Sequence, residues 1–214
     1  MFSLDYWFYL LIIAISLIVG LVRCRNNKKV WAIIFLLALT LCSEIVSVML
    51  AYIIKNNCCV YHFFNPLQAI VWGCFFYVNI DGPAKKTVMP LLLLLLLYSI
   101  LNTMLWQDMM TFPGNFIKFE CLVLLFWSFS LFIEFLDRPS KEEVFGDSVY
   151  VICIAVIWFN LISYVFFELF NSYIEQNIAT DSLRTIHHLS NYIYYSLLLI
   201  AMLLGNKPTV YEQK

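Results

Sequence analysis

The amino-acid sequence predicts an all-α integral membrane protein, a polytopic bundle of seven transmembrane helices. Of its 214 residues, 63% are hydrophobic, and the mean hydropathy is +0.83. Only 13% are charged, whereas a soluble domain has about 25%. Seven separate segments are apolar over about the 20 residues that a helix needs to cross a bilayer. Together these observations favour a membrane bundle over a soluble domain.

The seven segments follow one another through short connections with turn and charge signals, such as Asp81-Gly82-Pro83. We therefore predict one domain over residues 1–214. Its helices are expected at about 5–23, 29–54, 60–80, 85–106, 115–136, 147–170 and 184–205. Helices 3 and 7 each carry an H-x-x-N pair, which indicates a possible 3+1+3 pseudo-repeat around helix 4.

Lysine and arginine predict the orientation, because basic residues stay on the cytoplasmic side. Three basic residues lie on one side of the predicted bundle, at Lys55, Lys118 and Arg184. Ten lie on the other side: Arg23, Arg25, Lys28, Lys29, Lys85, Lys86, Arg138, Lys141, Lys207 and Lys214. The N-terminus is therefore expected outside and the C-terminus inside.

Ionisable and amide side chains predict the functional site, since they are costly inside a bilayer unless they are paired. With the predicted orientation, most of them fall in the outer halves of the helices, above an apolar inner half. Glu44 stands near the middle of helix 2, and its candidate partners are His62, His188 and Lys118. We predict a polar, outward-facing ligand pocket formed by Glu44, His62, Asn65, Gln68, Asn160, Glu168, His187, His188, Asn191 and Tyr195.

Metal binding and catalysis are weaker interpretations of the same residues. Zinc favours imidazole and carboxylate ligands, so His62, His188 and Glu44 are the candidates if a metal is bound. The chain has no HExxH or GxSxG motif, and we predict no cofactor and assign no catalytic residue. The net charge of −1 argues against binding to nucleic acid.

Three motifs carry a resemblance to known proteins. They are Glu44 on helix 2, N-P-x-Q at 65–68 on helix 3, and H-x-x-N-x-x-x-Y at 188–195 on helix 7. In these the chain resembles small, uncharacterised seven-helix membrane proteins of bacteria. That resemblance implies the inner membrane of a bacterium as its location. Its 3+1+3 plan also resembles the SWEET sugar transporters, in which asparagines of helices 3 and 7 line the sugar site. That resemblance implies such roles for Asn65 and Asn191.

The function we predict is binding of a small molecule or a lipid head group, as in a receptor or sensor. The short C-terminal tail means that signalling would need a separate cytoplasmic partner, and a homo-oligomer is also allowed. A small-solute transporter and a metal-dependent intramembrane hydrolase are the alternatives.

Overall fold

The computed structural model describes residues 4–137, 144, 146–175 and 181–205. Over these residues the chain forms seven α-helices and no β-strand, which confirms the all-helical fold. The helices are α1 (Leu4–Arg23), α2 (Trp31–Ile53), α3 (Cys58–Asn79), α4 (Lys85–Leu101), α5 (Gly114–Leu136), α6 (Ser148–Glu175) and α7 (Asp181–Leu204). A π-helical turn, Asn102–Trp106, extends α4.

Each segment predicted from the sequence overlaps one of these helices over most of its length. The largest difference is at α6, which continues to Glu175, whereas the sequence predicted an end near residue 170. Four of the basic residues that predict the orientation lie outside the described residues: Arg138, Lys141, Lys207 and Lys214.

Five of the described helices are long and apolar enough to cross a membrane. These spans are Tyr6–Arg23, Trp31–Ile53, Lys85–Trp106, Gly114–Leu136 and Ser148–Phe170. The helices α3 and α7 are less apolar because they contain the histidines and several amide side chains. Many large apolar side chains on the outer surface are exposed, among them Ile18, Phe35, Leu93 and Ile133. Such a surface is compatible with an integral membrane location.

The helices pack in a closed ring in the order of the chain. Each helix contacts the next one, α7 contacts α1, and α3 also contacts α5 across the ring. The aromatic side chains of Trp72, Phe76 and Trp127 join α3 to α5, with ring centroids 5.9 Å and 5.6 Å apart along the series. All three are almost completely buried, so this part of the interior is an apolar layer.

The ends of α1 and α7 are joined where the ring closes. The Arg23 guanidinium donates to the Leu203 carbonyl at 3.2 Å, and the Cys24 thiol donates to the Met202 carbonyl at 3.2 Å. These donors satisfy carbonyl groups in the last turn of α7. Carbonyl groups at the end of a helix have no N–H donor within the helix itself. Gly205 follows directly and lies against the Cys24 sulfur.

Gly205→Ala is expected to lower the free energy of unfolding by roughly 1–3 kcal/mol, as overpacking does in other cores. An added methyl group overlaps the Cys24 Sγ atom. Cys24→Ala removes that sulfur, so the double variant Cys24→Ala/Gly205→Ala should lose less stability than the two single losses added together. Thermal unfolding of the four proteins measures this coupling, and strictly additive losses would contradict the packing argument.

Candidate functional site

The Glu44 carboxylate is held by two tyrosines of α1. The Tyr6 hydroxyl donates to one oxygen at 2.9 Å and the Tyr9 hydroxyl donates to the other at 3.1 Å. These partners differ from those expected from the sequence, because His62, His188 and Lys118 have other surroundings. The reason is the rotation of α1 about its axis. It turns Tyr6 and Tyr9, which are three positions apart on one face of the helix, toward α2.

Tyr195, one of the predicted site residues, completes this region from α7. It is buried, and its ring centroid lies 5.3 Å from that of Tyr9. We call Tyr6, Tyr9, Glu44 and Tyr195 the tyrosine–carboxylate cluster. The two hydrogen bonds join α1 to α2, and the contact between the Tyr9 and Tyr195 rings joins α7 to them.

Tyr9→Phe is expected to reduce the free energy of unfolding by about 1–2 kcal/mol, since it removes one hydrogen bond to the carboxyl group. The same change in a Glu44→Leu background should cost less, because the acceptor is already gone. Denaturation of the single and double variants gives the coupling energy. Tyr98→Phe is the control, as no hydrogen bond of its hydroxyl is found among the described residues. Equal costs in both backgrounds would contradict the pairing.

His62 lies on α3, away from Glu44. Its side chain reaches the π-helical turn and the loop before α5. Its Nδ1 atom is 2.8 Å from the Thr103 hydroxyl oxygen, and its Nε2 atom is 2.9 Å from the Thr111 carbonyl oxygen. A carbonyl oxygen only accepts, so Nε2 carries the proton, and a neutral ring accepts at Nδ1 from Thr103. Both nitrogens are thereby used, and His62 has a structural part.

Glu168 is paired with Lys118 at the surface. The ammonium nitrogen and a carboxylate oxygen are 2.9 Å apart, and 56% of the Glu168 side chain is exposed. An exposed pair of this kind contributes about 0–1 kcal/mol. Lys118 therefore joins α5 to α6 instead of reaching Glu44.

Three of the amide side chains predicted for the site do not bind Glu44 in the described structure. Asn160 is buried and donates to the Val156 carbonyl at 2.8 Å, while Asn191 donates to the His187 carbonyl at 3.1 Å. Both bonds lie within the helix of the amide itself. Gln68 is half-buried on α3. Of these amides, none is joined to Glu44 in the described hydrogen bonds.

The two adjacent histidines of α7 face different surroundings. His187 is half-buried and stacks on Phe166, with ring centroids 4.4 Å apart, whereas His188 is exposed. The Nδ1 atom of His187 is buried and has no hydrogen-bond partner in the described part of the chain. His187 therefore points into the bundle, and the 100° turn between neighbouring residues of a helix places His188 on the surface.

His187 belongs to a larger group of buried polar atoms without partners. Over the residues that the structure describes, one such atom is found in each of five side chains that we call the interior polar set: Asn65, Glu120, Ser163, His187 and Ser190. They come from α3, α5, α6 and α7. Further atoms of this kind belong to Asn102, Trp127 and Ser128. The polar atoms thus extend from the apolar layer toward one end of the ring.

Glu120 is the most costly member of the interior polar set. Only 3% of it is exposed, and its Oε1 atom has no donor among the described residues. Another member of the set, His187, has aromatic neighbours. Its ring lies 6.0 Å from that of Phe159 of α6, and Phe159 stacks on Tyr194 of α7 at 4.6 Å. These rings form an aromatic wall beside His187.

Glu120 is absent from the site predicted from the sequence, although a signal for it exists. Phe116, Leu124 and Trp127 stand four residues before it and four and seven residues after it, on one face of α5. All three are buried, so a carboxyl group on this face must point inward.

The arrangement of possible metal ligands does not favour the zinc alternative. Among the described residues, no group of three or more His, Cys, Asp or Glu side chains is placed to hold one ion. Glu44 lies in the tyrosine–carboxylate cluster, His62 against the π-helical turn, and His188 on the surface. These three residues are not brought together.

Comparisons of the chain with protein-family models, with curated proteins and with solved structures find no match.

Proposed function

We propose that the chain spans a bacterial inner membrane seven times, with the N-terminus outside and the C-terminus in the cytoplasm. The five long apolar helices and the exposed apolar surface support this. The less apolar helices α3 and α7 belong to the same closed ring as the five, so they are expected to cross beside them. The excess of basic residues on one side supports the orientation.

Fusions at the C-terminus test this orientation. A green fluorescent protein there should be bright, and an alkaline phosphatase there should be inactive, because each reporter works on one side of the membrane only. The opposite pattern would reverse the proposed topology.

Within this bundle, the function we propose is binding of a small polar molecule or lipid head group, in the manner of a receptor or sensor. The observation that carries it is the interior polar set. A buried polar group without a partner costs about 1–3 kcal/mol, and native proteins keep few of them. The interior polar set has five such groups, from four helices, on the same side of an apolar layer. This is the arrangement expected of a site in which a bound ligand supplies the missing hydrogen bonds.

The chemistry of the set describes the ligand. The Asn65 amide nitrogen donates a hydrogen bond, the Glu120 carboxylate accepts one, and the hydroxyls of Ser163 and Ser190 do either. A ligand that donates to Glu120 and accepts from Asn65 fits these groups, such as an amine, an amide or a polyol. Tyr194 and Phe159 supply an apolar face beside them.

The apolar layer favours binding over transport. Trp127 stands two helical turns beyond Glu120 on α5, and together with Trp72 and Phe76 it fills the interior there. A solute that enters at the interior polar set therefore meets a packed aromatic floor. The 3+1+3 transporter alternative requires this floor to open.

A thermal-shift screen of the purified protein tests the binding function. Amines, amides, polyols and soluble lipid head groups are added in turn to the wild type, Glu120→Gln and Ser190→Ala. Asp137→Asn is the matched control, because it makes the same acid-to-amide change at an exposed position. At least one compound should raise the melting temperature of the wild type and of Asp137→Asn. The same compound should raise the melting temperatures of Glu120→Gln and Ser190→Ala by a smaller amount.

Two results would overturn the proposal. One is that no compound in these classes separates the wild type from Glu120→Gln. The other is that the stabilising compound accumulates inside liposomes that contain the protein, which would move the function to transport.

A further inference from the structure

A groove runs along the outer surface between α4 and α5. Its volume is about 550 Å³, and its wall is formed by Lys86, Thr87, Pro90, Leu91, Leu122, Val123 and Phe126. Pro90, Leu122 and Phe126 are exposed, so the groove opens away from the ring and not into its interior. It is therefore separate from the interior polar set.

The polar groups of the groove are confined to one end. Lys86 is the second residue of α4, and Leu91 lies about 7.5 Å further along the helix at 1.5 Å per residue. The Thr87 hydroxyl is turned back to the Ala84 carbonyl at 2.7 Å, so it does not make the deeper part polar. Pro90 has no N–H, and therefore the Lys86 carbonyl loses its usual helical donor at this same end.

Lys86 is the cation available to the groove, and its neighbour Lys85 is not. Lys85 lies 4.0 Å from the Asp81 carboxylate and over the Tyr77 ring at 5.2 Å. Lys86 is exposed, and among the described residues no carboxylate lies within 4.0 Å of its ammonium group. The groove thus has an exposed positive charge at the helix end and apolar walls toward the middle of the bundle.

We propose that this groove binds one anionic phospholipid, with the phosphate at Lys86 and an acyl chain along Leu91, Leu122 and Phe126. The charge and the apolar walls follow each other in the same order as the head group and tail of a lipid. Basic residues at the cytoplasmic ends of transmembrane helices attract anionic head groups, at about 1 kcal/mol each. The inference rests on the proposed membrane location and orientation, and it is independent of the interior ligand.

Native mass spectrometry with added lipid tests the proposal. The detergent-purified protein is titrated with phosphatidylglycerol or with phosphatidylcholine of the same acyl chains. The wild type should retain one phosphatidylglycerol molecule at a several-fold lower concentration than phosphatidylcholine. Lys86→Gln should weaken retention of that molecule about fivefold, the equivalent of about 1 kcal/mol.

Three further variants sharpen the test. Lys85→Gln removes the adjacent, already paired charge and should bind like the wild type, as should Lys86→Arg, which keeps the charge. Leu122→Trp fills the groove from an exposed position and should weaken both lipids. Equal retention by the wild type and Lys86→Gln, equal affinity for the two lipids, or no effect of Leu122→Trp would each overturn the proposal. Loss of interior ligand binding changes none of these results.

Discussion

Glu120→Met is expected to raise the melting temperature of the purified, ligand-free protein by roughly 5 °C. The Glu120 side chain is 3% exposed, and its Oε1 atom lacks a donor in the described part of the chain. An apolar side chain of similar length removes an unsatisfied polar group worth about 1–3 kcal/mol. For a chain of this length, each kcal/mol corresponds to about 2–4 °C. Differential scanning fluorimetry measures the change.

Glu134→Met provides the matched comparison on the same helix. The Glu134 carboxylate accepts from the backbone N–H groups of Asp81 and Gly82, at 3.1 Å and 2.8 Å. Its replacement leaves both donors without that acceptor, so the melting temperature should fall. If the melting temperature of Glu120→Met falls as well, Glu120 contributes to the stability of the fold, and the proposed binding function loses its main support. Higher stability together with lost ligand binding is the trade-off expected at a functional site.

His62→Leu is expected to lower the free energy of unfolding by about 2–4 kcal/mol. The imidazole joins α3 to Thr103 and Thr111 through two hydrogen bonds of 2.8 Å and 2.9 Å, and it is 6% exposed. Leucine removes both bonds and leaves a hydroxyl and a carbonyl group to be satisfied elsewhere, each at a cost of about 1 kcal/mol or more. Chemical denaturation of the protein in micelles measures the loss.

His188→Leu is the control for this prediction, since His188 is exposed. This substitution should change the free energy of unfolding by no more than about 0.5 kcal/mol, as is usual for surface positions. Hydrogen exchange adds a local measurement, because loss of His62 should increase exchange in the π-helical turn and the loop before α5. Equal stabilities of the two histidine variants would contradict the structural part assigned to His62.

The helices could be predicted from the sequence because each depends on a local property, a run of apolar residues between turn signals. The π-helical turn could not. Its buried Asn102 donates to Gln107 at 2.9 Å, and Gln107 also accepts from the Asn115 backbone N–H at 3.2 Å. These contacts depend on how α4 meets α5, which no local pattern fixes.

The site could be predicted only in part, for the same reason. Ionisable and amide residues identify the region, and Asn65 and His187 do lie in the interior polar set. Which residues meet depends on the rotation of each helix about its axis. That rotation gives Glu44 the tyrosines of α1 as partners, which in the sequence look like interfacial aromatics, and it turns Glu120 inward.

The closure of the ring sets an order of assembly during synthesis. The contact between Arg23 and Leu203 joins residues 180 positions apart, so α1 is made long before the helix that covers it. At about 5–20 residues per second, α1 waits roughly 10–40 seconds for α7. Glu44 reaches Tyr6 and Tyr9 early, because α2 follows α1 directly. A nascent chain stopped before α7 therefore leaves one side of α1 uncovered, and we expect quality-control proteases to remove it.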